Sequence, residues 1–90
     1  MVITWDENKA NSNLSKHGVS FEEAQTVLFA PQSVTIEDKA HSEPRFITIA
    51  FSLKLNLLVV VYAHRIDDEI RIISARKATK KEAKIYEERI

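Results

Sequence analysis

The 90-residue sequence has no cysteine, a single glycine and two prolines, and each scarcity excludes something. Without cysteine there can be no disulfide, no thiolate metal site and no cysteine nucleophile, a composition that fits a reducing compartment. So little Gly and Pro leaves few sharp turns and no low-complexity segment. Long apolar runs are missing too. The longest, LLVVVYA at 57–63, has the length of a strand and falls far short of the ~20 residues that cross a bilayer. The opening MVITWDENKA lacks the basic-then-apolar layout of a secretory signal, so the expected location is the cytoplasm, with no membrane partner. An excess of one charge is also absent, since 13 Lys+Arg balance 13 Asp+Glu. The pI near 6.8 lies well below the value of about 9 typical of nucleic-acid binders. The length sets one domain, residues 1–90, at the small end of what folds alone.

The charge that is present is unevenly placed. Residues 71–90 carry seven cations against three anions, and residues 21–43 carry five anions against one cation, so a neutral chain can still present a positive face. Arg71, Arg76, Lys77, Lys80, Lys81 and Lys84 crowd around the junction between a strand-like run and a helix-like tail.

Local patterns predict the elements. VITW reads as a short edge strand. Asp6 then caps a helix that Gly18 ends, at a position where positive φ is wanted. Ser20 and Glu23 form a capping box ahead of an apolar face of Phe21, Ala24, Val27 and Leu28, and Pro31 stops that helix. A short strand and a polar loop, SVTIEDKAHSEPR, lead into the strand RFITIAFS. LNLLVVVYAHR is the most buried strand, because its apolar run does not alternate. EIRIISAR follows, with Ile70, Ile72 and Ser74 set against Arg71, Ile73 and Ala75. Thr79 and Glu82 make a second capping box before a helix with a narrow stripe of Ala83, Tyr86 and Ile90. The predicted class is α+β in the order β-α-α-β-β-β-β-α, a mainly antiparallel sheet with the helices packed on one face.

Three stretches resemble the BrnT-type toxins: WDENKANSNLSKHGVSFEEA, DKAHSEPR and IRIISARKATKKEAKIYE. The resemblance covers nearly the whole chain, in order. It implies a RelE-like fold and an endoribonuclease that arrests growth as one half of a type II toxin–antitoxin pair. It also implies a cognate BrnA-type antitoxin, usually with a ribbon-helix-helix domain, with which the toxin represses its own operon. Operator DNA is then met only through the antitoxin. Two stretches depart from the family pattern. The hairpin that usually carries glycine in S-x-x-G-R reads FSLKLN, and the usual Y-T-E-R reads YAHR, which puts His64 where an acidic residue is expected.

RNA is cut without metal when its 2′-hydroxyl attacks the adjacent phosphorus. The protein must take the proton of that hydroxyl, protonate the departing 5′-oxygen and stabilise charge on phosphorus. Histidine and carboxylate suit the proton steps, and the planar fork of Arg suits the phosphate. The candidate catalytic residues are His41, Glu43, His64, Arg65 and Arg76. The candidate RNA-binding residues are Lys16, His17, Arg45, Lys77, Lys80 and Tyr86. His41, Glu43 and Arg45 alternate, so an extended segment would project them to one side. Arg76 is expected just beyond the last strand, at the mouth of the tail helix. Bland readings stand beside these. His17 before Gly18 suits a helix C-terminus, Tyr86 suits packing, and the tail lysines suit a solvated face. The three histidines have no metal-ligand spacing, and no Gly-rich phosphate loop is present, so neither metal nor cofactor is expected. The alternative function is a non-catalytic partner-binding module that kept a toxin fold and lost the chemistry.

Overall fold

Short-range hydrogen bonds set where each helix begins. In the computed structural model, which describes residues 1–90, the Asp6 carboxylate accepts from Asn8 N and opens α1, Glu7–His17. Gly18 ends it at φ 69°, in the left-handed region that costs glycine little. Ser20 Oγ accepts from Glu23 N at 3.0 Å and opens α2, Phe21–Val27. The other half of the expected capping box is missing here. The Glu23 carboxylate accepts instead from Ser52 Oγ at 2.7 Å and Asn56 Nδ2 at 2.8 Å, and so ties α2 to a distant hairpin. At the tail both halves form, with Thr79 and Glu82 opening α3, Lys80–Arg89.

Five strands make one sheet: β1 (Val2–Thr4), β2 (Val34–Asp38), β3 (Arg45–Phe51), β4 (Leu57–His64) and β5 (Glu69–Lys77). Their spatial order is β1-β5-β4-β3-β2. β2 to β5 pair antiparallel, while β1 lies parallel to β5, so the sheet is mixed. β1 is an edge strand and covers only Glu69–Arg71 of its neighbour.

The two faces carry separate cores. On one, Leu58, Val60 and Tyr62 of β4 and Ile70, Ile72 and Ala75 of β5 meet Ala10 of α1 and Phe21, Ala24 and Val27 of α2. Phe21 and Val27 are fully buried, and burial of side chains this size is worth about 2 kcal/mol each. On the other face Val34, Ile49 and Val59 meet Tyr86 of α3. The expectation of helices on one face is therefore corrected: α3 packs opposite α1 and α2. The physical reason is β4 itself. A strand apolar at successive positions exposes oil on both sides of the sheet, and both sides must be covered.

The alternation expected along β5 also breaks. The β4–β5 register shifts between Val61 and Tyr62, leaving Ile73 as the extra residue of a bulge. Inward positions run Ile70, Ile72 and then Ala75 rather than Ser74. The strand continues to Lys77, so Arg76 lies inside β5 opposite Val59, not beyond the strand. The β3–β4 hairpin turns at Ser52–Asn56, closed by Ser52 N donating to Asn56 O at 2.9 Å. Leu55 sits in that turn at φ 64°.

Candidate functional site

β2 ends, β3 begins, β4 ends and β5 begins at one rim of the sheet. Residues in register across it on the α3 face are Asp38, Arg45, Ala63 and Arg71, the small Ala63 leaving the two arginines on either side of it. Neither Arg45 nor Arg71 takes part in an ion pair. Arg45 Nε is buried and has no hydrogen-bond partner, which leaves a charged donor unsatisfied at this point of the surface.

Above the rim, residues 39–44 form the loop between β2 and β3. The extended arrangement expected for His41, Glu43 and Arg45 is corrected here. Asp38 pairs with Arg45, so the chain must reverse over the residues between them, and Pro44 cannot donate to a ladder. Only Arg45 stands on a strand. His41 Nε2 turns back to Asp38 Oδ2 at 3.6 Å, and Glu43 Oε2 reaches across to Arg65 Nη1 at 3.3 Å. The loop thus carries an imidazole to Asp38, the cross-strand neighbour of Arg45, and a carboxylate to Arg65, by a route that alternation did not describe.

His64 ends β4 on the opposite face from Ala63. Its ring meets Phe46 edge-on at 4.7 Å between centroids and lies 5.8 Å from Tyr62. It shares the rim with Arg65 but faces away from Arg45. Lys16 and His17 lie in the last turn of α1, where with Lys9 and Ser12 they border a shallow polar groove of about 260 Å³ against Ile73 and Ser74.

Arg76 is five residues from Arg71 along β5, roughly 16 Å at ~3.3 Å per strand residue, and so stands toward the far end of the sheet. Its guanidinium grips Glu82 with both prongs, Nη1 to Oε1 and Nη2 to Oε2, each at 2.7 Å. Glu82 Oε1 also accepts from Thr79 N at 2.9 Å, so one carboxylate caps α3 and ties it to the sheet. Lys77 and Lys80 are exposed nearby. Tyr86 is 3% exposed and its hydroxyl donates to Gln32 O at 3.0 Å. Both its ring and its hydroxyl are committed inside the fold, which accords with the packing reading of Tyr86.

The hydrogen bonds from Arg76 hold the Glu82 carboxyl at about 2, from an ordinary 4.5, and the same contact raises Arg76. A depressed acid stabilises the fold above its ordinary value, and that stabilisation is lost as pH falls toward the depressed one. The pair is partly open to solvent, which limits it to about 1 kcal/mol. Glu82→Gln should therefore lower the urea midpoint at pH 6, and its deficit should close between pH 4.5 and 2. A deficit independent of pH over that window would mean that the cap, not the ion pair, holds α3.

Two contributors gain their place only from the structure. Arg71 becomes relevant only through the register that sets it and Arg45 on either side of Ala63. Glu82 becomes the partner of Arg76 only because β5 runs on to Lys77. The i, i+6 spacing of the two, with a capping box between, is a signal that could have suggested the pair. No group of His, Cys, Asp or Glu is arranged to hold a metal ion, and no helix is long and apolar enough to cross a membrane.

A family model described as the ribonuclease toxin BrnT of a type II toxin–antitoxin system matches residues 5–82. The fold is similar to the 1.1 Å crystal structure of the Brucella abortus ribonuclease toxin, BrnT, with a TM-score of 0.72 and 27% identity, covering 89% of this chain and 99% of that one. No curated protein matches the sequence. The match over most of its length and the shared architecture place this chain in the BrnT family of ribonuclease toxins of type II toxin–antitoxin systems.

Proposed function

We propose that this toxin is a metal-independent, RelE-like endoribonuclease whose active rim is built from Glu43, His41, Arg45, Arg65 and Arg71. The observation that carries the reading is Arg45: a guanidinium with a buried, unpartnered Nε, beside a second unpaired arginine and under a loop bearing a carboxylate and an imidazole. Neither Arg45 nor Arg71 is held by a carboxylate, so the outer nitrogens of both guanidinium groups are available to phosphate oxygens.

The step balances without a further reactant. The Glu43 carboxylate takes the proton of the 2′-hydroxyl as the O2′–P bond forms. His41, as the general acid, gives a proton to the 5′-oxygen as the P–O5′ bond breaks. Arg45 and Arg71 hold the phosphoryl oxygens as charge builds on them. The products are a 2′,3′-cyclic phosphate and a 5′-hydroxyl. Arg65 positions Glu43 through their 3.3 Å contact. His64 and Phe46 offer rings on which a flanking base can stack. Lys16, His17, Lys77 and Lys80 attract the rest of the strand in a salt-dependent way. Arg76, held by Glu82, anchors α3 rather than meeting phosphate. In the cell the toxin works in the cytoplasm, where a cognate ribbon-helix-helix antitoxin neutralises it and the pair represses its operon.

The test is incubation of the purified chain with end-labelled RNA in EDTA. Cleavage leaving cyclic phosphate ends is expected. Cleavage that appears only when magnesium is restored would overturn the metal-free mechanism. No cleavage of naked or ribosome-bound RNA would leave the binding-only module.

A further inference from the structure

The end of the sheet opposite Arg45 is apolar. Phe29, Phe51, Leu53 and Leu55 are 64%, 47%, 84% and 79% exposed. Together with Pro31 they border a groove of about 370 Å³ between the end of α2 and the β3–β4 hairpin. So many large apolar side chains around one concavity mark a contact surface rather than ordinary scatter.

Leu55 sharpens the point. It stands at φ 64°, where a Cβ is crowded by the backbone and glycine or asparagine is normally found. The fold gains nothing in return, because the leucine side chain is among the most exposed in the molecule. A strained, outward-pointing leucine makes sense if the side chain is needed by something outside the chain.

Charge narrows the choice of partner. Lys54 lies in the hairpin between Leu53 and Leu55, and Lys77 lies close enough that both act on the Glu23 carboxylate. That carboxylate is itself committed to Ser52 and Asn56, so the accessible charge at the edge is positive. Two copies of this chain would set lysines against lysines. RNA would find lysine but few polar groups on the floor to read or hold it. A protein with apolar and acidic side chains fits both the floor and the edge.

We propose that this groove is the docking site of the cognate antitoxin, taking an amphipathic segment whose apolar side chains fill the concavity and whose acidic side chains meet Lys54 and Lys77. The proposal rests on membership of a toxin–antitoxin family and not on RNA cleavage. The groove lies at the far end of the sheet from Glu43 and Arg65, so it anchors the antitoxin without itself being part of the catalytic rim. It also makes Leu55 a determinant of which antitoxin is accepted.

The experiment uses the purified chain and its purified cognate antitoxin, with affinity measured by calorimetry. Leu53→Asp, at a position too exposed to affect folding, should weaken binding about 10- to 100-fold, as expected for loss of one buried leucine contact. Leu55→Gly should move two readouts in opposite directions: the melting temperature rises as strain is relieved, and antitoxin affinity falls. Unchanged affinity in both variants overturns the proposal. So does unchanged affinity together with a parent dimer that Leu53→Asp splits, which would assign the groove to a second copy. RNA cleavage is assayed separately on the same variants and is expected to persist. If even the parent fails to cleave while the variants lose antitoxin, the ribonuclease mechanism falls and the groove stands.

Discussion

Replacing Asn13 with alanine is expected to cost about 3–5 kcal/mol of unfolding free energy, the largest loss from any single polar side chain in this fold. β1 ends at Thr4, so β5 beyond Arg71 has no strand on its outer side. Asn13, in the middle of α1 and 6% exposed, takes that place. Its Nδ2 donates to Ala75 O at 2.8 Å, and its Oδ1 accepts from Ala75 N at 3.1 Å. The same Nδ2 donates to Val19 O at 3.0 Å, fixing the link between α1 and α2. One side-chain amide thus imitates a strand residue and closes a sheet edge. Truncation would leave a buried N–H and two carbonyls without partners. Asn13→Asp is the sharper variant. A carboxylate can still accept from Ala75 N, but it faces two carbonyl oxygens with no proton to offer, so at pH 7 it should destabilise at least as much as alanine. Urea unfolding at pH 7 and pH 4 separates the cases. The Asp variant should recover part of its loss as it is protonated, and the Ala variant should not. If the Ala variant loses under 1 kcal/mol, water has replaced the amide and Asn13 does not hold the edge.

The features legible in the sequence share a physical range. Asp6, Ser20 and Thr79 act on backbone groups two or three residues away, and Gly18 acts on its own φ, so each can be found by reading a short window. The lack of alternation in β4 was legible as burial, but its consequence, a helix on each face, depends on where α3 is delivered in space. The bulge at Ile73 was hidden because a bulge belongs to a pair of strands, and no single strand announces it. Asn13 in a helix reads as an ordinary surface polar residue until β1 is known to stop short. In the sequence Arg76 suits a phosphate contact and Glu82 a cap, whereas in the fold each is the other's partner. At the rim, the residue types proposed for RNA cleavage are legible from chemistry, whereas their grouping is not. Alternation suggested a straight His41-Glu43-Arg45 segment, and the structure supplies a loop that brings Glu43 to Arg65 instead.

Glu43→Gln should reduce the rate of RNA cleavage by about 10²- to 10⁴-fold, the usual range for loss of a general base, with little change in RNA affinity. The amide keeps the shape and can still bond to Arg65, so a fall in kcat without a fall in melting temperature isolates proton transfer from folding. Stability should hold because the Glu43–Arg65 pair is half open to solvent, and such pairs contribute at most about 1 kcal/mol. Arg65→Ala tests positioning: it should slow cleavage by about tenfold, because the carboxylate remains but is no longer held. Arg45→Ala should cost about 10²- to 10³-fold and weaken the dependence of binding on salt, since it removes charge from the phosphate. Arg76→Ala should behave in the opposite sense, lowering the melting temperature while leaving most of the rate, because its guanidinium holds Glu82. That contrast decides which end of the sheet carries the chemistry. Should Glu43→Gln cleave within a few-fold of the parent while Arg76→Ala, still folded, loses activity, the catalytic rim lies beside α3, and the Arg76–Glu82 pair must open to admit RNA.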